Sequence, residues 1–243
     1  MSVSGAERTL GRDGHRVRSR SIKACDCTIL RVTGFKRYDV QTSRLRPEQV
    51  LEAAAALREG ALVVYPTDTL YAIGCLALDR EAVKRLRDAK GRETDKALPV
   101  IVADPAQARS LAAEWPATAE RLAAAFWPGP LTLVLPALST LPPALLGGAS
   151  TIAVRVPASE VARDLARAAG PLVSTSANLA GEPPCVTADL AVATFPLATL
   201  VFDMGTLEGA PSTIVDLNGI GEPRILREGR IDRLAIERTL ARF

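Results

Sequence analysis

Short apolar runs alternate with stretches of helical periodicity from Pro47 to the C-terminus, which predicts an α/β fold whose sheet is covered by helices on both faces. A 243-residue chain with 48% hydrophobic residues can bury one sizeable core or two small ones. Neither an internal repeat nor a low-complexity linker interrupts residues 47–243, so that stretch reads as one domain.

The first helix is expected from Pro47, where Val50, Leu51, Ala54 and Leu57 recur at helical spacing until Gly60, and Ala61–Tyr65 then reads as a buried strand. A second helix begins near Asp79 with Ala82, Val83, Leu86 and Ala89 inward, and it carries Lys90 and Arg92 to its C-terminal end. Leu98–Val102 reads as a strand. Helical signals run from Pro105 to Phe126 with a break near Pro116, before Trp127-Pro128-Gly129-Pro130 introduces a strand at Leu131–Leu135. Further strands are expected at Thr151–Val156, Pro171–Ser174, Thr199–Phe202, Thr213–Leu217 and Arg224–Arg227, with helices at Ser159–Ala169 and Ile231–Arg242.

Charge is distributed unevenly. Residues 1–46 carry eleven Lys+Arg against four Asp+Glu, a net of +7, whereas residues 47–243 carry 19 against 23, a net of −4. The first segment reads as a basic, poorly ordered extension. Its cluster of Arg16, Arg18, Arg20 and Lys23 suits a nucleic-acid-binding arm, an organelle-targeting peptide or an untranslated leader. No apolar stretch reaches the roughly 18 residues needed to span a bilayer, and no secretory signal is legible, so a cytoplasmic protein is expected.

The residue inventory excludes several chemistries. Cys25, Cys27, Cys75 and Cys185 form no Cys-x-x-Cys pair, and the only histidine is His15, so no protein metal site is expected. Lacking a histidine after residue 15, the chain cannot build a Ser-His-Asp or Cys-His hydrolase in its globular part.

Lysine is rare after residue 46: only Lys84, Lys90 and Lys96 occur, although arginine is abundant. Two of them flank Arg92 in the run Lys90-Gly91-Arg92-Glu93-Thr94-Asp95-Lys96. A compact ammonium can seat a phosphate oxygen in a way that a planar guanidinium cannot, and three cations in seven residues could offset much of a triphosphate's charge. The same run is equally readable as a solvated helix end favoured by the macrodipole.

Three other loops are rich in polar groups. Pro66-Thr67-Asp68-Thr69-Leu70-Tyr71 follows a buried strand, the place where open α/β sheets gather ligands, though it also reads as a capped turn. Pro171-Leu172-Val173-Ser174-Thr175-Ser176-Ala177-Asn178 opens from a strand into hydroxyls and an amide that suit a phosphate or carboxylate, or a simple helix cap. Pro211-Ser212-Thr213 and Arg227 flank two late strands.

Taken in order, Pro-Thr-Asp-Thr-x-Tyr, Lys-x-Arg, Trp-Pro-Gly-Pro-Leu-Thr, Ala-Val-Arg, Ser-x-Asn and Ser-Thr-x-Val-Asp resemble the YrdC/Sua5 family of L-threonylcarbamoyladenylate synthases over about residues 46–230. The resemblance is to the short, single-domain YrdC type. It implies a twisted, open, mixed α/β sheet with a concave, positively charged cavity. It also implies formation of threonylcarbamoyl-AMP and pyrophosphate from L-threonine, bicarbonate and ATP with Mg²⁺. A separate threonylcarbamoyl transferase complex would then modify the adenosine beside the anticodon of certain tRNAs.

Carried over by position, Lys90, Arg92, Ser176 and Asn178 would form the catalytic constellation. Lys90, Arg92, Lys96, Asn178 and Arg227 would bind ATP, while Thr69, Arg155, Ser176, Ser212 and Thr213 would bind threonine, with Thr132 nearby. The carbamate formed on threonine is its own nucleophile toward the α-phosphate, so the protein's task is to align two anions and stabilise developing charge. No histidine is required for that. Two positions depart from the family pattern: Ala72 stands where glycine is usual, with strain expected if positive φ is needed there, and Ala97 replaces a common proline. The principal rivals are an RNA-binding module, since the implied concave surface suits weak tRNA or double-stranded RNA contact, and a paralogue without synthase chemistry.

Overall fold

The computed structural model describes residues 34–40, 44–91, 96–179, 181–207, 209–219 and 222–241, all within the unit Val32–Phe243. Arg92 and most of the basic N-terminal segment lie outside the described residues. Lys36–Asp39, which the sequence reading assigned to that segment, forms an ordered edge strand, β1. It joins the sheet in parallel with a strand near the end of the chain.

Helix α1 (Pro47–Arg58) buries Gln49, Ala53, Ala54 and Leu57. Leu51, expected inward, lies about 200° around the helix from Gln49 and is 71% exposed. Next come β2 (Val63–Pro66), β3 (Tyr71–Gly74) and α2 (Arg80–Lys90). Asp79 caps α2 by accepting bonds from the Glu81 and Ala82 amides, and Gly91, at φ 58°, ends the helix immediately after Lys90. The chain continues through β4 (Val100–Ile101), α3 (Pro105–Arg109) and α4 (Ala117–Phe126), with the expected break at Pro116. Then follow β5 (Leu131–Pro136), α5 (Pro143–Leu146), β6 (Thr151–Arg155), α6 (Glu160–Ala169), β7 (Leu172–Val173), β8 (Thr175–Ser176) and α7 (Ala188–Thr194). The last elements are β9 (Leu200–Asp203), β10 (Thr213–Asp216), β11 (Arg224–Arg227) and α8 (Arg233–Leu240).

The strands form two mixed sheets in place of one. The five-stranded sheet runs β1-β9-β2-β3-β8 and the six-stranded sheet β11-β10-β5-β6-β4-β7. The run read as a single strand at Pro171–Ser174 is where the chain changes sheet. β7 pairs with β4, Ser174 N donates to Pro99 O at 2.8 Å, and β8 then pairs with β3.

Alternate residues of β2 and β3 enter different apolar clusters. Val63, Tyr65 and Ala72 pack with α1 and α6, while Val64, Tyr71 and Ile73 pack with α2 and the six-stranded sheet. The five-stranded sheet is therefore covered on both faces, as period-two alternation requires. Ala72 lies in register between Tyr65 and Ser176 in this antiparallel ladder, an extended setting in which alanine carries no positive-φ strain. Burial also pushes the Cys75 thiol up to about 12, leaving it an inert core residue.

Candidate functional site

A cavity of about 470 Å³ opens between the β2–β3 turn, the segment before β4, the ends of β5 and β6, β8 and the residues around β10. It brings together Thr69, Thr132, Arg155, Ser176, Ser212 and Arg227, six of the residues singled out in the sequence. Its walls come from both sheets, so the site exists only once the two are assembled.

Arg155, at the end of β6, is 7% exposed and anchors one wall. Its Nε donates to Gly129 O at 2.9 Å, Nη1 to Thr69 Oγ1 at 3.3 Å and Nη2 to Asp68 Oδ1 at 2.5 Å. Burial depresses the guanidinium's pKa, Asp68 opposes that loss, and Arg230 and Arg227 add to it.

The β2–β3 turn is ordered by its own hydroxyls. Thr67 Oγ1 accepts from the Thr69 and Leu70 amides at 3.1 and 3.0 Å and donates to Leu70 O at 2.7 Å. Thr69 Oγ1 lies 2.8 Å from Thr67 Oγ1 and accepts from Arg155 Nη1. Arg155, Thr69 and Thr67 are thus linked in one hydrogen-bonded chain that ends on the Leu70 carbonyl.

Arg227 donates to Ser212 O through Nε at 3.1 Å and Nη2 at 2.9 Å, and to Ser212 Oγ at 3.2 Å. Ser212 Oγ in turn meets Thr132 Oγ1 at 2.9 Å. Burial lowers the pKa of the Arg227 guanidinium as well. Thr132, on β5, and Ser212, immediately before β10, therefore share one hydrogen-bonded wall with a cation behind it.

Lys90 takes a different place. It is 1% exposed and donates to Ser176 O at 2.5 Å and Asn178 O at 2.9 Å, with Nζ 5.5 Å from the Phe195 ring centroid. It thus underpins the Ser176–Asn178 turn and is not among the cavity-lining residues. Ser176 Oγ donates to Asn178 Oδ1, and Asn178 Nδ2 donates to Leu179 O and Glu182 O at 3.0 and 2.6 Å. Asn178 and Lys96 also lie outside the lining; Lys96 contributes its carbonyl to Arg87 Nη2 at 2.7 Å, while its neighbour Ala97 reaches the cavity.

Thr213 differs from its expected role as a threonine-binding residue. It is fully buried, and its Oγ1 donates to Ile231 O at 2.6 Å while accepting from Gly229 N and Ile231 N at 2.9 and 3.1 Å. It pins the segment after β11 and does not line the cavity. Thr213→Val is expected to cost about 2 kcal/mol in denaturant unfolding, because three main-chain groups lose a buried partner. A stability unchanged from wild type would refute that role.

Sequence reasoning missed two contributors to the site. Asp68 was visible only as part of a polar motif, and its ion pair with Arg155 joins residues 87 apart. Gly209 carried no local signal at all: a Cβ there would overlap the Thr69 carbonyl, so the segment between β9 and β10 sits directly on the β2–β3 turn.

With this geometry in view, similarity to known proteins is specific. Residues 55–229 match the Sua5/YciO/YrdC family model, which carries the description "Telomere recombination". This chain belongs to the Sua5/YciO/YrdC family. Among Sua5/YciO/YrdC relatives, the threonylcarbamoyl-AMP synthase of Pyrococcus abyssi is 40% identical over 200 residues, covering 81% of this chain and 58% of the relative. That of Chromobacterium violaceum is 41% identical over 178 residues, covering 72% and 90%. The structure of P. abyssi Sua5 complexed with L-threonine aligns with TM-score 0.79 and 38% identity, over 86% of this chain and 61% of that one. Escherichia coli YciO aligns with TM-score 0.74 and 26% identity, over 82% and 98%. The chain therefore spans about three fifths of the longer Sua5 proteins and nearly all of the shorter Sua5/YciO/YrdC members.

Proposed function

We propose that this protein is an L-threonylcarbamoyladenylate synthase, converting L-threonine, bicarbonate and ATP into threonylcarbamoyl-AMP and pyrophosphate. The observation that carries this reading is the cavity: within about 470 Å³ it combines the buried Arg155, a second guanidinium at Arg227 and the hydroxyls of Thr69, Thr132, Ser176 and Ser212. Those groups suit a small zwitterion next to a polyanion. Relatives bearing the synthase name and a Sua5 solved with L-threonine support the same assignment.

In this reading Thr69, Arg155, Ser176 and Ser212 hold threonine, with its carboxylate on the Arg155 guanidinium. Arg227 and Ser176 face the phosphates, and the motifs assign Arg92, Lys96 and Asn178 to the same nucleotide side. Lys90 contributes by holding the Ser176–Asn178 turn from below. Once threonine's amine has captured carbon dioxide or bicarbonate, the carbamate oxygen attacks the α-phosphate and the bond to pyrophosphate breaks. The protein aligns two mutually repelling anions and supplies fixed donors to the charge that develops.

Among the described residues, no three His, Cys, Asp or Glu side chains gather to hold a metal. In this reading Mg²⁺ enters with the nucleotide, as MgATP. The product passes to a separate threonylcarbamoyl transferase complex acting on tRNA adenosine. In this reading the work proceeds in the cytoplasm, where its tRNA target would be met. No helix among the described residues is long and apolar enough to cross a membrane.

The test is pyrophosphate release by the purified full chain with MgATP. Release is expected to require both L-threonine and bicarbonate and to fall when L-serine replaces threonine. Folded protein that releases no pyrophosphate in response to threonine would refute the synthase reading.

A further inference from the structure

We infer that Asp68 is a positioning residue that aims Arg155 at the amino acid's carboxylate and so sets threonine affinity; this rests on the synthase reading above. A guanidinium has five N–H donors in a fixed fork. In Arg155, three are taken by Gly129 O, Thr69 Oγ1 and Asp68 Oδ1. That pattern leaves one N–H on Nη1 and one on Nη2 to offer to a carboxylate. Which edge of the guanidinium is left over depends on Asp68, because it occupies one Nη2 donor.

Asp68 is well held for this task. It lies on the β2–β3 turn of the five-stranded sheet, while Arg155 ends β6 of the other sheet, so the ion pair links the two sheets beside the cavity. Its carbonyl accepts Arg230 Nη1 at 2.8 Å, and the adjacent Thr69 backbone is pressed by Gly209. The turn that carries the carboxylate is held from several directions, with 14% of the Asp68 side chain exposed, against 9% for Arg155.

Electrostatics and geometry predict opposite outcomes. Arg155, Arg227 and Arg230 lie close enough that the latter two shift the first, and Asp68 is the carboxylate that opposes them. Removing its charge makes the cluster more positive, which by charge alone tightens binding of an anionic group. Loss of aim does the reverse.

The experiment is calorimetric titration of the full chain with L-threonine and, separately, with MgATP, using wild type, Asp68→Asn and Asp68→Glu. Asp68→Asn is expected to weaken threonine binding by about tenfold or more while MgATP binding stays within about twofold, with Asp68→Glu falling between it and wild type. Should Asp68→Asn fail to fold, Asp68→Glu carries the test, with a smaller but still selective loss expected. Threonine binding that is unchanged or tighter, or equal losses for both ligands, would overturn the inference. Wild-type protein that shows no saturable threonine binding would instead remove the synthase reading, and this inference with it.

Discussion

Gly209→Ala is expected to reduce threonine-dependent pyrophosphate release by about a hundredfold, since catalytic geometry tolerates misplacement of only a fraction of an ångström. Gly209 has no unusual φ, so alanine's backbone preferences are not the obstacle. The obstacle is space. The added Cβ would fall on the Thr69 carbonyl oxygen, with the Thr69 carbonyl carbon at 2.3 Å and Cα at 2.6 Å in an unrelaxed structure. These are main-chain atoms of a turn locked by the Thr67 hydroxyl, so no flexible side-chain end can swing away. Either the segment between β9 and β10 lifts, or the turn retreats and Thr69 Oγ1 leaves Arg155 Nη1, now 3.3 Å away. Both outcomes spoil the threonine subsite. Gly219→Ala is the control, because nothing lies within 4 Å of a Cβ there, and it is expected to retain wild-type rates. Gly209→Ala with full activity would show that this packing does not govern the site.

Gly209 also marks the limit of what the sequence reveals. Local signals located α2 through its Asp79 cap, its inward Ala82, Val83 and Leu86, and the placement of Lys90 at its end. They located β5, β6, α6 and β11 because those apolar or amphipathic runs are bounded by clear punctuation. They did not reveal β3, whose four residues emerge from a polar motif and take strand form because β2 and β8 flank them. Nor did they reveal β1, which is mostly exposed and ordered through parallel pairing with β9. The split into two sheets was likewise hidden, since Pro171–Ser174 looks like one strand until Ser174 is seen bonded to Pro99.

The site was legible by residue type more than by orientation. Thr69, Arg155, Ser176, Ser212 and Arg227 converge as motif order implied. Thr213 has the same chemistry as its neighbour Ser212, yet strand alternation turns it into the core beneath Ile231. A one-residue difference in facing cannot be read from a hydroxyl pair that fits either direction.

Arg155→Met is expected to lower unfolding stability by about 3 kcal/mol, since removing one partner strands the other's charge where water barely reaches. Side-chain exposures of 9% for Arg155 and 14% for Asp68 place the pair near the lower end of such losses. For a domain of this size the midpoint of thermal unfolding should fall by roughly 6–12 °C. Threonine-dependent turnover should vanish as well, because the guanidinium that receives the carboxylate is gone. Stability and function separate in the double variant Asp68→Leu/Arg155→Met. Replacing both ions with apolar groups removes the stranded charge, and such exchanges are often neutral or stabilising. The double variant is therefore expected to regain most of the lost stability and none of the turnover. Thermal unfolding and pyrophosphate release on the same preparations check both halves. A double variant as unstable as the single one would mean that the ion pair itself holds the two sheets together. Recovery without activity would mean that packing suffices for the fold and that the charges are kept for the substrate.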